Sequence, residues 1–544
     1  MTLPRREFIA SGAGSLAALV GAPTRLWQGT PPDLIVRGGT VFDGSLREGQ
    51  VLDVAITGDR ITAIAPRIAA SGRDEIDARG LAVAPGFIDI HSHADGSLSS
   101  DPRAESVIRQ GVTTIVVGQD GSSRGVVHPE SEAPDPPTLA RFFESIEILR
   151  SAVNVASMVG LGSVRSTVVG ADDRPATPAE LTQMTAIVEF ALRSGACGAS
   201  SGLEYTPGAF ASRDELIALC RPLAARRLPY ATHMRNEDDR LLDSIDESIA
   251  VARGAGCPLQ ISHLKTQGPR NWGKLDEVFA RITSARAAGL DVAFDRYPYT
   301  AYQTGLTNLF PVWSRDGGTD AFLARLTDAP VAARVRAETL AKVDLIGGWE
   351  NVHIASVRAV EDRAAEGKRL GSYAQSLGRD PYELTVEMLR RNGGSIGMVG
   401  FAMSDENLDR ILGHPLGMVC SDGGGFAIDG PTRRGSPHPR GLGTFPRVLG
   451  RYVRDRKALS LAEAIHKMTA FPASRVRLAD RGRLSVGFAA DVVVFDPARV
   501  ADRATYEQPF QYPVGIHDVI VNGTIALREN DRNATGTGRA LRPA

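Results

Sequence analysis

Short apolar runs alternate with helix-length segments through the middle of the chain, and this alternation restricts the fold more than any other feature. Eight runs have the length and composition of strands: FIDIH, TTIVVGQD, NVASMVGL, GASSGL, PYATHMR, LQISHLK, DVAFDRYPYT and GMVCSD. Segments such as PAELTQMTAIVEFALRSG and RLLDSIDESIAVARGAG lie between them and are long enough for helices. Repeated strand and helix alternation is typical of parallel sheets. The pattern therefore predicts an α/β protein built on a TIM-like (β/α)8 barrel.

Both ends of the chain depart from this pattern. DLIVRGGTVFDG and DVAITGDRITAIAP near the start, and GFAADVVVFDP and DVIVNGTIALREN near the end, show apolar alternation broken by Gly, Asp and Asn. Such patterns favour short antiparallel strands joined by hairpins. We predict that residues 29–84 and 480–544 pair as one small β-sandwich domain beside the barrel at residues 85–479.

One stretch inside the barrel region is too long for a single crossover between strands. It runs from about residue 300 to about residue 408 and contains NLFPVWSRDGGTD and IGGWENVHIASV. We predict an insertion at the barrel mouth. A lid that shapes the substrate pocket is the favoured interpretation, and a surface subdomain without a role in binding is the alternative.

The first 28 residues are typical of an export signal. Arg5 and Arg6 precede an uncharged stretch, rich in Ala, Gly and Ser, that continues to Thr24. Paired arginines indicate the twin-arginine route and a periplasmic location. A retained membrane anchor is less favoured because the stretch is short and rich in Gly, so we expect no stable membrane insertion after removal of the signal.

Composition narrows the class of partner. The 544 residues carry a formal net charge of −1 and no dense basic run, which argues against nucleic acid and favours a small-molecule substrate. The sequence does not indicate an oligomeric state. The cysteines form no CxxC pair, so we expect buried core residues rather than disulfides or a thiolate zinc site. They are Cys197, Cys220, Cys257 and Cys420.

Polar residues follow five of the eight predicted strands, namely the first, second, fifth, sixth and eighth. The carboxyl ends of barrel strands share one rim, so these side chains are expected to converge. Alone, each histidine would more often be structural, but together imidazole and carboxylate groups suit one or two Zn²⁺ ions. The predicted metal ligands are His91, His93, Asp120, His233, His263 and Asp422.

Asp422 stands between a predicted strand and a Gly-rich turn in the run MVCSDGGG. It could simply cap that turn. If it faces the metal, it can accept a proton from the attacking water and return it to a leaving amine. The arrangement then predicts metal-assisted hydrolysis of an amide.

Several further motifs carry a resemblance to a known family. PGFIDIHSH, GVTTIVVGQDG, SSGLEYTPG, THMRNE, ISHLK, DRYPYT, CSDGGG and PHPRGLGTFPRVLGRYVR occur in this order. Together they resemble N-acyl-D-amino-acid deacylases, or D-aminoacylases, of the amidohydrolase superfamily, over almost the whole mature chain. The PHPR and GTFPR block and the ordered histidines are specific. GGTVFDG and ADVVVFDP mark only the superfamily, whose members share a barrel with a small β-sandwich.

The resemblance implies roles for individual residues. His233 and His263 would hold the principal zinc, His91 and His93 would serve a second or weaker site, and Asp422 would be the general base. A second group would bind the substrate carboxylate through a point charge, a planar donor and a hydrogen bond. This group is Lys265, Arg440 and Tyr297. Without the resemblance, a solvated rim lysine and a structural ion pair would be the simpler interpretations of Lys265 and Arg440.

Two positions depart from the family pattern. Many relatives carry a cysteine ligand in a GNCG turn, whereas this chain has Asp120 in the turn GQDG. Asp120 is expected to ligate or bridge, and Glu204 in SSGLEY is an alternative carboxylate. Gln303 stands where relatives often have a small hydroxyl residue, so it is expected to narrow the pocket or alter acyl preference.

The leading hypothesis is zinc-dependent hydrolysis of N-acyl-D-amino acids to a carboxylate and a D-amino acid. The preference for D rests on the resemblance alone. The alternatives are a cyclic-amide hydrolase of the hydantoinase or dihydroorotase type, and a dipeptidase that cleaves before a C-terminal D residue. A non-catalytic binding protein is a third alternative, against which the presence of Asp422 argues.

Overall fold

The computed structural model describes residues 31–127, 138–533 and 536–544. It confirms an α/β fold. The signal segment predicted for residues 1–28 lies outside the described residues. Within the described ranges, none of the helices combines the length and apolar character needed to cross a membrane.

The strands and helices alternate along most of the chain. The strands are β1 (Leu34–Val41), β2 (Gln50–Thr57), β3 (Arg60–Ala65), β4 (Asp74–Asp77), β5 (Ala82–Pro85), β6 (Phe87–Asp89), β7 (Val112–Val117), β8 (Asn154–Ser157), β9 (Val159–Gly160), β10 (Ala199–Gly202), β11 (Tyr230–His233), β12 (Leu259–Ile261), β13 (Val292–Arg296), β14 (Ala301–Gly305), β15 (Val352–Ser356), β16 (Gly397–Phe401), β17 (Gly417–Val419), β18 (Val492–Phe495), β19 (Ile516–Val521), β20 (Thr524–Arg528) and β21 (Asp531–Arg532).

The α-helices are α1 (Asp95–Leu98), α2 (Glu105–Ile108), α3 (Leu139–Leu149), α4 (Leu161–Val168), α5 (Pro178–Arg193), α6 (Arg213–Ala224), α7 (Leu241–Ala255), α8 (Leu275–Ala287), α9 (Gly318–Arg325), α10 (Ala329–Leu345), α11 (Leu370–Ser376), α12 (Pro381–Arg391), α13 (Asp405–Gly413), α14 (Arg440–Arg447), α15 (Leu461–Met468) and α16 (Ala470–Arg475). Short 3₁₀ turns join several of them, and α14 continues as a π-helical segment, Val448–Asp455.

Parallel pairing joins the central strands in the order β6, β7, β8 and in the order β9, β10, β11, β12, β13, β17. β8 and β9 form one bent strand, interrupted only at Met158. The last strand meets the first through main-chain hydrogen bonds, from Asp422 N to His91 O at 2.8 Å and from His93 N to Gly423 O at 2.9 Å. These contacts close an eight-stranded barrel whose strands coincide with the eight predicted runs.

The seam between the first and last barrel strands depends on a buried carboxylate at the end of β6. Asp89 accepts hydrogen bonds from the main-chain N–H of Ser421 at 2.8 Å and from its hydroxyl at 2.5 Å. Burial raises the pKa of Asp89 to about 6. Asp89 therefore fixes the loop after β17 against β6, directly below the polar rim.

The helices around the barrel follow local sequence rules. α5 begins with Pro178, and the Thr177 hydroxyl and the Glu180 carboxylate cap its first turn reciprocally. Apolar residues of successive helices pack with the barrel strands in one cluster; they include Met184, Leu216, Ile245 and Val278. The four cysteines are free and buried, as expected for core residues.

Both ends of the described chain meet in one nine-stranded sheet. Its order is β21, β20, β19, β18, β5, β1, β2, β3, with β4 also paired to β1. β1 pairs with β4 through residues 34–37 and with β5 through residues 40–41, so the sheet divides along β1. Val36, Ile56, Val492 and Ile520 from its two halves share one buried cluster.

The insertion is a small subdomain between β13 and β17. β14, β16 and β15 form an antiparallel sheet in that order, and α9 to α13 accompany it. Gln303 and Thr304 of β14 and Asn308 just after it line the cavity at the barrel mouth. The insertion thus supplies one wall of the site, while closure as a lid stays a prediction.

The seam predicts a specific stability loss. Asp89→Ala is expected to lower the free energy of unfolding by about 1–3 kcal/mol, because it leaves a buried N–H and hydroxyl of Ser421 without acceptors. The matched control Asp77→Ala removes an exposed carboxylate, which contributes little. Denaturant unfolding measures both variants. Equal stability of Asp89→Ala and the parent protein would show that the seam does not depend on this contact.

Candidate active site

All six predicted metal ligands converge at the carboxyl ends of the barrel strands. His233 ends β11, and the other five lie in the loops that follow their strands. His91 and His93 lie beyond β6, which ends at Asp89, in the loop that follows the strand. His91 is nevertheless fully buried, whereas the His93 side chain is 38% exposed.

Asp120 lies in the middle of four imidazole rings. Its Oδ1 is 3.4 Å from His91 Nε2, and its Oδ2 is 3.4 Å from His93 Nε2. The same Oδ2 is 3.5 Å from His263 Nε2 and 3.8 Å from His233 Nδ1. One carboxylate therefore faces both pairs of histidines that the sequence assigned to separate sites.

Two glycines bring the Asp120 turn this close to the barrel. Gly118 and Gly121 have φ values of +74° and +77°, and Asp120 itself has a φ of +51°. A Cβ atom at Gly118 would lie 2.2 Å from Met158 O, and one at Gly121 would lie 2.7 Å from Gly202 N. The GQDG turn is thus compact enough to place the carboxylate among the rings, and side chains at its two glycines would displace it.

The polar groups form overlapping sets with the spacing of metal ligands. One set is His91, His93, Asp120 and Asp422, a second is Asp120, His233 and His263, and a third is Glu204, His233 and Glu237. In each set the candidate ligand atoms lie within 4.8 Å of one another. Asp120 belongs to the first two sets, so its two oxygens could serve two neighbouring ions.

The chemistry of these groups fits a divalent cation. His91 Nδ1, His91 Nε2 and Asp120 Oδ1 are buried and have no hydrogen-bond partner among the described residues, an arrangement that is costly for polar atoms unless a ligand satisfies them. Burial opposes protonation of His93, but Asp120 and Asp422 outweigh it and raise its pKa to about 9. The carboxylates of Asp120 and Asp422 thus favour a positive charge beside them, which a bound metal ion would supply.

Asp422 faces the histidines with one oxygen and a buried guanidinium with the other. Its Oδ1 is 3.1 Å from His93 Nε2, and Arg440 Nη1 donates to Oδ2 at 2.6 Å. Burial opposes ionisation of Asp422, but the charges of Arg440 and the imidazoles hold its pKa well below the ordinary value. The carboxylate is therefore ionised and able to accept a proton.

Lys265 is held by a carboxylate that the sequence analysis did not single out. Lys265 Nζ donates to the two oxygens of Glu237 at 2.6 and 2.7 Å and lies 2.6 Å from His263 Nδ1. Lys265 is only 2% exposed, so the alternative of a solvated rim lysine is wrong. Glu237 lies four residues after His233 in the quoted THMRNE motif, which was the available signal for it.

Asp295, at the end of β13, positions two of the histidines. Its Oδ1 accepts a hydrogen bond from His263 N at 2.8 Å and lies 3.5 Å from His91 Nδ1. With Nδ1 of His91 directed at Asp295, Nε2 faces Asp120 and Asp422. Such outer carboxylates orient metal-binding imidazoles, and the sequence did not predict this role.

A cavity of about 450 Å³ opens beside these groups, and Lys265, Tyr297 and Arg440 all line it. The Tyr297 ring lies between two guanidinium groups, 4.2 Å from Arg296 and 4.7 Å from Arg440. The Tyr297 hydroxyl and Arg440 Nε are buried, and neither has a hydrogen-bond partner in the described part of the chain. The cavity thus presents two unused donors suited to a carboxylate.

Glu204, the alternative carboxylate, and Gln303, which departs from the family pattern, also line this cavity. Glu204 Oε2 is 3.5 Å from His233 Nε2 and accepts from Asn308 Nδ2 at 3.3 Å. The Gln303 side chain accepts from His438 N at 3.1 Å, and its main-chain oxygen is 3.4 Å from Arg440 Nη2. Gln303 therefore connects β14 of the insertion to the PHPR segment through polar contacts with His438 and Arg440.

Comparison with known proteins agrees with this geometry. A family model described as the amidohydrolase family matches residues 74–527. The chain belongs to the amidohydrolase family. This amidohydrolase is 36% identical over 522 residues to the D-aminoacylase of Alcaligenes xylosoxydans xylosoxydans, an alignment that covers 94% of this chain and 98% of that relative.

The names of two further relatives state acidic substrates, an N-acyl-D-aspartate and an N-acyl-D-glutamate. The N-acyl-D-aspartate deacylase of the same organism is also 36% identical, over 94% of this chain and 95% of the relative. The solved N-acyl-D-glutamate deacylase of Bordetella bronchiseptica, complexed with zinc and a phosphonate inhibitor, is 34% identical. It matches with a TM-score of 0.79 and covers 94% of this chain and all of that chain. The predicted resemblance to D-aminoacylases is confirmed.

The central position of Asp120 predicts its effect on metal binding. Asp120→Ala is expected to weaken the retained metal ion at least about tenfold, since even outer groups around a metal contribute that much. Ser122→Ala, in the same loop and cavity, is the matched control. Elemental analysis of dialysed protein measures metal content. Parent-like metal content and affinity in Asp120→Ala would show that Asp120 is only a turn residue.

Proposed function

We propose that this amidohydrolase is a zinc-dependent hydrolase that converts N-acyl-D-amino acids to a carboxylate and a D-amino acid. The observation that carries the proposal is one cavity that combines a metal-ligand cluster, an ionised Asp422 and unused donors for a carboxylate. The identity to the D-aminoacylase over 94% of the chain supports the substrate class. A zinc ion bound there would activate water and polarise the amide carbonyl.

Asp422 is suited to move the proton in this reaction. Its Oδ1 faces the histidines, where the attacking water would lie, and its low pKa keeps the carboxylate ionised, so that it carries no proton of its own before the reaction. The same carboxyl group can then protonate the leaving nitrogen. Arg440 holds the other oxygen, which fixes the orientation of the carboxylate during both transfers.

Arg440 and Tyr297 are suited to bind the free carboxylate of the substrate. Arg440 uses Nη1 on Asp422, while its Nε and the Tyr297 hydroxyl have no partner among the described residues. A substrate carboxylate that accepts from both would place the neighbouring amide close to Asp422. Lys265 adds positive charge to the same cavity, and Glu237 fixes its position.

The assay that tests the proposal compares matched substrates on zinc-loaded protein. N-acetyl-D-methionine and N-acetyl-D-leucine are expected to release amine with kcat/KM at least about 100-fold above their L enantiomers, because a site that positions the amide discriminates in the transition state. Chelation is expected to abolish activity and zinc to restore it. Ring opening of a hydantoin, or cleavage of a dipeptide with a C-terminal D residue, without release from either N-acetyl substrate would overturn the proposal.

The proton-transfer role of Asp422 predicts a large rate effect. Asp422→Asn is expected to lower kcat about 10²–10⁴-fold, because the amide has nearly the same shape but cannot accept the proton. Metal analysis of the same preparation separates this loss from loss of zinc. A variant that keeps both its zinc and the parent kcat would rule out Asp422 as the base.

A further inference from the structure

A second cavity, of about 380 Å³, lies between the barrel and the insertion. Tyr205 lines both this cavity and the active-site cavity. Thr206 comes from the barrel loop after β10, and Thr307 and Arg315 come from the insertion. We call this space the Arg315 cavity. No acidic side chain is among its described lining residues.

Arg315 is a buried cation without a carboxylate partner. It is 8% exposed, and its one hydrogen bond to the described residues runs from Nη2 to the main-chain oxygen of Glu204 at 3.0 Å. Its Nε has no partner, and no carboxylate oxygen of residues 31–127, 138–533 or 536–544 lies within ion-pair distance. Buried Arg165 and Arg440, by contrast, each contact a carboxylate at 2.6 Å.

An unpaired guanidinium in this position is unfavourable unless something neutralises it. Burial of a charged group costs free energy that the surrounding protein must offset with an opposite charge or with hydrogen bonds. Burial lowers the pKa of Arg315, although the nearby negative charge of Glu204 acts in the opposite direction. Arg315 lines the empty volume together with Thr206 and Thr307, two residues whose side chains carry hydroxyl groups.

We propose that the Arg315 cavity binds a carboxylate group, held by the planar donors of Arg315. Guanidinium groups recognise carboxylates through paired hydrogen bonds, which matches the unused Nε. Tyr205 separates this position from the catalytic groups, and its hydroxyl accepts a hydrogen bond from Thr304 Oγ1 at 3.2 Å. The carboxylate is either a free small acid or the acidic side chain of a substrate that reaches past Tyr205.

The position is linked to the catalytic groups through Glu204. Arg315 holds the main chain of Glu204, whose carboxylate lies 3.5 Å from His233 Nε2. Glu204 is not among the described lining residues of the Arg315 cavity, so a bound carboxylate would engage Arg315 donors other than the one that Glu204 O accepts. Occupancy of the Arg315 cavity is therefore expected to influence the position of Glu204 beside the metal ligands.

Thermal unfolding of the zinc-loaded protein tests the site with acetate and succinate at constant ionic strength. At 50 mM, roughly 50 times an assumed Kd of about 1 mM, we expect the Tm to rise by about 1–3 °C. Arg315→Gln, which removes the charge but keeps a donor for Glu204, is expected to lose most of this rise. Arg315→Met serves as a second variant. Arg358→Met, at an exposed arginine of the insertion, is the matched control that keeps the rise.

The ratio of kcat/KM for N-acetyl-D-glutamate to that for N-acetyl-D-glutamine distinguishes the two sources of the carboxylate, a substrate side chain and a free small acid. These substrates have nearly the same shape, so the ratio isolates the charge. A tenfold or greater fall of the ratio in Arg315→Gln would assign the site to the substrate side chain. Loss of the acetate effect with an unchanged ratio would assign it to a free acid.

The proposal is overturned if both Arg315 variants keep the full acetate effect and the parent substrate ratio. If the parent protein cleaves neither substrate, the deacylase proposal fails instead. The acetate measurement alone then decides whether the Arg315 cavity binds a carboxylate. If acetate and succinate do not raise the Tm of the parent protein and the ratio is unchanged, the cavity binds no carboxylate.

Discussion

The arrangement of the site depends on one constraint, the burial of the Asp120 carboxylate among four imidazole rings. Its oxygens lie 3.4–3.8 Å from nitrogen atoms of His91, His93, His233 and His263. Among the described residues, both nitrogens of His91 and Oδ1 of Asp120 are buried without a hydrogen-bond partner, which is costly unless a cation or a proton lies between them. Barrel closure brings the rings to one rim, and the glycine turn of residues 118–121 inserts the carboxylate among them.

The same need for charge balance explains how the catalytic cavity is built. Each of its cations is paired, Lys265 with Glu237 and Arg440 with Asp422. These pairs hold both cations in fixed positions and keep Asp422 ionised, yet they leave one Arg440 donor unused. Arg315 differs because the described residues offer it no carboxylate. The molecule therefore places paired cations where the reaction is proposed, and beyond Tyr205 a guanidinium without an ion-pair partner among the described residues.

The sequence predicted the barrel well because strand and helix periods are local properties. All eight apolar runs became barrel strands, and all six predicted ligands reached one rim. Glu237 and Asp295 were missed because their roles depend on which side chains the closed barrel brings beside them. The course of the chain at His91 and His93 is also set by tertiary contacts, here with the loop after β17. The unpaired state of Arg315 is likewise a property of tertiary packing.

Asp120 is expected to link both histidine pairs through bound metal. Anomalous diffraction at the zinc edge from zinc-loaded crystals tests it most directly. We expect a zinc peak about 2.0–2.2 Å from an Asp120 oxygen and from an imidazole nitrogen of His233 or His263. At high zinc we expect a second peak on the other Asp120 oxygen, beside His91. Zinc bound at the histidines with Asp120 outside coordination distance would show that Asp120 does not link them.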